Sequence, residues 1–236
     1  MNVIAYGSDA LLIKLDGGVS DRNLLTIKII SDLIKQSFRY QIIELIPAYD
    51  TILIRFRVES LSIEEVREYL SDINITIKPG DIGRRLEIPV CFHSSFALDQ
   101  DRVVALCNKP IEDIKRLILH RTYQVHMMGF LPGFAFMAGV DTTLHCPRLS
   151  VPRKSVPAGS VAITGEQIAI YPVNSPGGWN IIGHCPLAIF DVTREEFSLF
   201  RAYDQVAFKP ITLDEHRRIT SKVSNHEYDY KQLIAS

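Results

Sequence analysis

Two hydrophobic rhythms alternate along roughly the first third of the chain. Apolar residues crowd "VIAYG" (3–7) and "ALLIKL" (10–15), which predicts two strands joined by a short turn. Gly17 and Gly18 break that rhythm, and Ser20 or Asp21 is placed to cap a helix. In "NLLTIKIISDLIKQSF", Leu24, Leu25, Ile27, Ile30, Leu33, Ile34 and Phe38 recur at helical spacing. "IIELIPAY" and "TILIRFRV" predict a second strand pair. Ser62, followed three residues later by Glu65, forms a capping-box pattern before "VREYLSDI". "RRLEIPVCF" then reads as a closing strand. The order ββαββα, then β, is buried by helices packed on one face of a mostly antiparallel sheet.

"KPGDIGR" (78–84) marks a boundary, dividing the chain into an α/β domain over 1–82 and a second domain over 83–236. Beyond it, "LDQDRVVALCN" and "IEDIKRLILH" predict two helices separated by Lys109-Pro110. From Gly129 to Pro186 the texture changes: 8 of the 13 glycines and 7 of the 12 prolines fall there. Short apolar strands, "SVAIT", "IAIYPV" and "LAIFDV", alternate with turn clusters, the signature of a small barrel or sandwich with elaborate loops. A last strand, "DQVAFKPI", and a polar helix, "LDEHRRITSKV", complete the pattern.

Composition removes several function classes. Of the 236 residues 47% are hydrophobic and 22% charged, and the formal net charge is −1. This is globular composition, with no general electrostatic pull toward nucleic acid or an anionic membrane. No apolar run approaches the roughly 20 residues that span a bilayer. The N-terminus lacks a basic leader. Cys91, Cys107, Cys146 and Cys185 form no Cys-x-x-Cys pair, so free thiols in a reducing cytoplasm are expected. Phosphate-loop, dinucleotide-binding and nucleophile-elbow motifs are absent.

Candidate chemistry concentrates in the glycine–proline region. Pro-x-x-Ser-Val occurs at Pro147, Pro152 and Pro157, with Arg148 and Arg153 in the first two copies. Positions five apart face opposite sides of a strand, so the two guanidinium groups converge on one anion only across a turn. "GFLPGF" (129–134) and "SPGGWN" (175–180) are turns carrying aromatic rings: core packing or the wall of a pocket. His145-Cys146 and His184-Cys185 suggest zinc, but adjacent strand residues point apart, and no metal is expected. His120 and His126 are candidate general bases.

"GFLPGFAF", "PRLSVPRKSVPAGSVAI", "IYP" and "SPGGWNIIGHCPLAIFD" follow one another in the order, and near the spacing, of a known family. They resemble the family of the bacterial 5-oxoprolinase B subunit, also called allophanate hydrolase subunit 1 and sporulation kinase A inhibitor. The resemblance covers essentially the whole chain. It implies an α+β protein: an N-terminal ββαββα-type domain and a C-terminal cyclophilin-like β-barrel. It also implies two partners, a homologous barrel (the C subunit) and a third chain (the A subunit). Together these would convert 5-oxoproline to glutamate with ATP, held by or shared with the partners.

Carried over by motif, Arg148 and Arg153, with Pro157, Gly159 and Ser160, would line the barrel's functional surface. Ser175, Pro176, Gly177, Gly178 and Trp179 would join them. Phe130, Pro132, Gly133 and Phe134 of the first turn, with Gln167 and Tyr171, are further expected contacts. His126, Arg148 and Arg153 are the catalytic candidates. Two departures bear on the ligand: Ile168 and Ala169 stand where members read Thr-Gly, and "CFHSSFALD" replaces a glycine-rich turn. The family leaves two other functions open. One is inhibition of a sensor histidine kinase; the other is a carboxyltransferase part acting with a biotin carrier.

Overall fold

The structure is a computed structural model, described here for residues 1–58, 60–73, 75–76 and 83–235. Residues 78–82 of the "KPGDIGR" boundary lie outside that description. The chain divides into two compact units, Met1–Ile82 and Gly83–Ser236.

The first unit runs β1 (Asn2–Ala5), β2 (Ala10–Lys14), α1 (Asp21–Ser37), β3 (Ile42–Ala48), β4 (Thr51–Phe56) and α2 (Ile63–Asp72). Its four strands form an antiparallel sheet in the order β1-β2-β4-β3. Strand alternation sends Val3, Leu11, Ile13, Ile52 and Ile54 into the core. There they meet Leu24, Ile27, Ile30 and Ile34 from one stripe of α1. Ser20, not Asp21, caps α1, accepting from the Asn23 amide at 3.1 Å. The Ser62–Glu65 capping box of α2 forms as the spacing predicts.

The second unit contains β5 (Arg85–Val90), α3 (Gln100–Cys107), α4 (Ile111–Leu119), β6 (Thr122–Met128), β7 (Ala135–Ala138) and β8 (Arg153–Val156). It continues with β9 (Ser160–Thr164), β10 (Gln167–Ile170), β11 (Ser175–Gly177), β12 (Asn180–His184), β13 (Gln205–Pro210) and α5 (Leu213–Ser224). Seven strands form one curled sheet in the order β12-β9-β10-β7-β6-β13-β5. Its two edges meet where Cys91, just beyond β5, pairs with His184 of β12 through N–H···O bonds of 2.8 and 2.9 Å. That pairing bends the sheet into a cyclophilin-like barrel around a core that includes Ile88, Tyr123, Val125, Met137, Ile163, Ile168 and Val206.

Two expectations need correction. "RRLEIPVCF" does not close the first sheet: β5 is an edge strand of the barrel, parallel to β13. Its apolar run suits burial beside a parallel neighbour, which periodicity alone does not distinguish from a place in the first sheet. "LAIFDV" is not a strand. Asp191 instead caps a tight turn with Thr193, leaving one isolated bridge between Phe190 and Ser198.

Candidate functional site

Strand alternation divides the residues of β9 and β10 between two hydrophobic clusters. Val161, Ile163, Ile168 and Ile170 enter the barrel core, whereas Ala162 and Ala169 face the other way. Over these two small residues the chain stacks rings. Phe134 meets Phe136, Tyr171 and Trp179 at centroid distances of 4.8, 5.4 and 5.9 Å, mostly edge to face. Of the two residues in the first family departure, Ile168 therefore belongs to the barrel core and only Ala169 lies beneath the rings.

The rings open into a groove of about 130 Å³ lined by Phe130, Phe134, Phe136, Arg148, Tyr171 and the run Pro176–Trp179. Its walls come from segments distant in sequence. The "GFLPGF" turn is held by hydrogen bonds from the Gly129 amide to Phe134 O (3.1 Å) and from the Phe134 amide to Leu131 O (3.0 Å). It places Phe130 at the rim, 64% exposed and at φ +68°, a left-handed conformation uncommon for a bulky residue. Opposite, β11 pairs with β8 and presents Gly177 against Tyr171, where the space for a side chain is already filled by the tyrosine hydroxyl. Between these walls, the Leu149 amide donates to Gly178 O at 2.7 Å, and Asn180 Nδ2 donates to Pro147 O at 3.0 Å. These bonds set exposed Arg148 with its guanidinium carbon 5.9 Å from the Trp179 ring centroid. Burial raises the Tyr171 phenol above its ordinary pKa, opposed by a Trp179 backbone hydrogen bond and by Arg148 and Arg153.

The two arginines part company. Arg153 does not line the groove; it grips the buried Asp99 carboxylate with both Nη atoms, at 3.0 and 2.7 Å. His126 is buried at the bulge where β6 shifts register against β7, away from the groove lining. His120 lines a different cavity of about 570 Å³ between α4 and the start of α5; Cys91, Phe92 and His93 of the second family departure also line it, and none of the groove residues does. Among the remaining candidates, Pro132 and Pro157 are exposed in turns, Gly133 is buried, and Gln167 pairs with Ala138 and Thr164 in the sheet. Ser175 is buried one residue before the groove wall, and its hydroxyl has no protein partner among the described residues. Phe136 was missed as a site residue. Period-2 alternation along "AFMA" separates it from Ala135 and Met137, so the signal was present.

Gly159 and Ser160 support the site from behind. Ser160 pairs with His184 in the sheet, and the Gly159 amide donates to Tyr171 O at 2.8 Å. His184 Nε2 lies 2.9 Å from Ala158 O, and its Nδ1 lies 2.8 Å from His216 Nε2. A carbonyl only accepts, so His184 carries its proton on Nε2 and accepts at Nδ1 from His216. Both rings are neutral and pack on Phe96. Burial, and to a lesser degree His184, hold His216 down to about 4 from 6.5. The folded protein therefore binds fewer protons here than the unfolded chain. This contribution to stability is complete above pH 6.5 and is lost as pH falls toward 4. We expect a loss of roughly 2–3 kcal/mol across that window, read from urea midpoints. A His216→Gln variant should flatten the dependence; an equally steep curve would refute the assignment.

Neither His-Cys pair gathers a metal site. His145 Nε2 approaches Val140 O at 3.3 Å, while Cys146 Sγ meets Cys107 Sγ. Among the described residues no group of three or more His, Cys, Asp or Glu is arranged to hold a metal ion, and no helix is long and apolar enough to cross a membrane.

Residues 1–200 match the model of the carboxyltransferase domain, subdomain C and D. The chain belongs to this family, which includes the B subunit of 5-oxoprolinase. It is 36% identical over 172 residues to the 5-oxoprolinase B subunit of Escherichia coli O157:H7, covering 72% of this chain and 78% of the relative. Identity to the 5-oxoprolinase B subunit of Bacillus subtilis (strain 168) is 39% over 149 residues, 63% of this chain and 61% of the relative's length. Among solved structures, TTHA0988 aligns with a TM-score of 0.75 at 30% identity, over 86% of this chain and 40% of that one. The urea amidolyase of K. lactis aligns at 0.77, but at 18% identity, over 98% of this chain and 16% of that one; that likeness concerns the fold alone.

Proposed function

We propose that this chain is the B subunit of an ATP-dependent 5-oxoprolinase, and that its aromatic groove binds 5-oxoproline with Arg148 facing the substrate carboxylate. The observation that carries this reading is one exposed guanidinium at the mouth of a slot walled by rings and by side-chain-free glycine backbone. A volume of about 130 Å³ is well below the roughly 300 Å³ at which pockets for drug-sized ligands begin, and suits one small ring. 5-Oxoproline is a flat lactam with a single carboxylate. Its ring would stack on Trp179 and the phenylalanines, and its carboxylate would take charge-assisted hydrogen bonds from Arg148. The curated relatives at 36% and 39% identity carry the name of this subunit, which supports the reading.

The groove does not fit a nucleotide: it is small and holds one arginine. We therefore assign ATP, and the activation of the lactam, to the A and C subunits. Phe130 at the rim and Val151, three residues beyond Arg148 in sequence, are 64% and 79% accessible, and we assign them to the surface that meets a partner chain. The same slot would accept a single apolar side chain of a kinase, so binding without turnover is the second reading. The carboxyltransferase reading is weaker, because the similarity to a putative urea carboxylase is 28% identity over only 10% of that protein.

The test is glutamate release from 5-oxoproline and ATP by the reconstituted subunits. Turnover should require this chain. Arg148→Ala should lower kcat/KM for 5-oxoproline by roughly 10- to 100-fold, the loss of a charged hydrogen bond of about 1.5–3 kcal/mol, without moving the urea midpoint. Equal turnover with and without the chain would overturn its place in the complex. Unaltered turnover in the variant would remove the groove from substrate binding.

A further inference from the structure

The four cysteines are far apart in sequence, yet two of them meet. Cys107 ends α3, and Cys146 follows the 3-10 turn Thr142–Leu144; their Sγ atoms lie 3.5 Å apart. Cys146 is buried, whereas Cys107 is half-exposed. Cys91 and Cys185 are buried elsewhere and lie in no comparable contact among the described residues. We propose that Cys107 and Cys146 form an oxidative modification site: a peroxide joins them in an intramolecular disulfide that ties the end of α3 to the segment carrying Arg148.

A disulfide requires about 2.05 Å between sulfurs, so the pair must close by roughly 1.5 Å. Both lie where the backbone can give. Asn108, next to Cys107, already leaves the helix in a left-handed conformation, and Cys146 enters an irregular loop before β8. Access sets the order of the chemistry. The Cys107 thiolate attacks a peroxide oxygen, the O–O bond breaks, and Cys107 becomes a sulfenic acid with release of hydroxide. The Cys146 thiolate then attacks the Cys107 sulfur, the S–S bond forms, and the S–O bond breaks with loss of a second hydroxide. The two thiol protons convert both hydroxides to water. Two thiols are thereby oxidised by two electrons, and one hydrogen peroxide is reduced to two waters.

Burial and the adjacent Cys107 thiol push Cys146 up to about 12, against the weaker pull of Arg102. Thiolate is therefore scarce at Cys146 near neutrality. The second step should be slow there and accelerate as pH rises, so the Cys107 sulfenic acid accumulates first. The groove would sense closure through the backbone. The Cys146 carbonyl accepts from the Gly165 amide at 2.8 Å, and Pro147 O and the Leu149 amide are held by Asn180 and Gly178. Pulling Cys146 toward α3 shifts the short segment that sets Arg148 over Trp179.

The experiment treats the full chain with hydrogen peroxide, alkylates the remaining thiols in denaturant and maps the peptides by mass. The expected product is a peptide pair linked through Cys107 and Cys146, two hydrogens lighter and released by dithiothreitol, with Cys91 and Cys185 alkylated. Link formation should quicken from pH 7 to pH 9. In Cys146→Ser, dimedone should capture Cys107 as its sulfenic-acid adduct. No link, or a link no more frequent than in protein oxidised in urea, would overturn the site. Emission of Trp179, the sole tryptophan, should shift on linkage and return on reduction; unchanged emission would overturn the coupling to the groove.

Discussion

Arg153→Ala should destabilise the barrel unit by roughly 3–5 kcal/mol, whereas Arg148→Ala should leave its stability within about 0.5 kcal/mol. The two arginines occupy the same place in successive pentads, so the contrast comes entirely from what surrounds them. Asp99 is 6% exposed and accepts three hydrogen bonds: two from Arg153 and one from the Ile181 amide at 2.7 Å. Its own amide returns a bond to Ile181 O at 2.9 Å. One carboxylate thus fastens the start of α3 to β12 and β8. Removing Arg153 leaves that charge buried with a single backbone donor, and the cost is that of an uncompensated buried ion rather than of a surface pair. Arg148 has only its ring contact and solvent to lose. Urea midpoints of the two variants decide the matter. If both unfold with the wild type, the Asp99 pair is not structural. If both activities fall while only Arg153→Ala is destabilised, the groove arginine alone acts on the ligand.

This contrast also marks where the sequence stops being informative. Local rules carried the first unit: the Ser20 cap, the Ser62–Glu65 box and the apolar stripe of α1 are contacts over three or four residues. The strand "SVAIT" was legible with its limits because turn residues bound an apolar run. Position in a sheet was not. β5 and β13 pair across about half the chain, and nothing local to "RRLEIPVCF" indicates a parallel partner. The candidate site divided in the same way. Gly, Pro and aromatic clusters located the groove walls, because tight turns leave a compositional trace. The fate of Arg153 was decided by a carboxylate 54 positions away, and a pairing at that separation leaves no trace in either segment. Phe136 was recoverable, since alternation along β7 already sets it apart from its neighbours.

Gly159→Ala is the other change with a large expected effect, and its cause lies in the scaffold rather than in the groove. The residue sits at φ +82°, where a Cβ costs roughly 1–2 kcal/mol. The space is occupied as well: the new Cβ would lie 2.5 Å from the Cys185 carbonyl oxygen and 2.5 Å from His184 Cε1. Neither neighbour yields easily. Cys185 O is backbone, and its amide donates to Gly159 O at 2.8 Å, so the two chains are held at this distance. His184 is fixed through Ala158 O and His216, and its backbone makes the Cys91 pairing that closes the barrel. Overpacking of this kind adds about 1–3 kcal/mol, giving a loss on the order of 2–5 kcal/mol. The strain should also reach the histidine pair. Displacing His184 lengthens its bond to His216, admits water and lets His216 titrate nearer 6.5. The variant should therefore lose less of its remaining stability than the wild type between pH 6.5 and 4. A Gly159→Ala protein with wild-type midpoint and wild-type acid sensitivity would show that the strand crossing at residues 159 and 185 is looser than these distances imply.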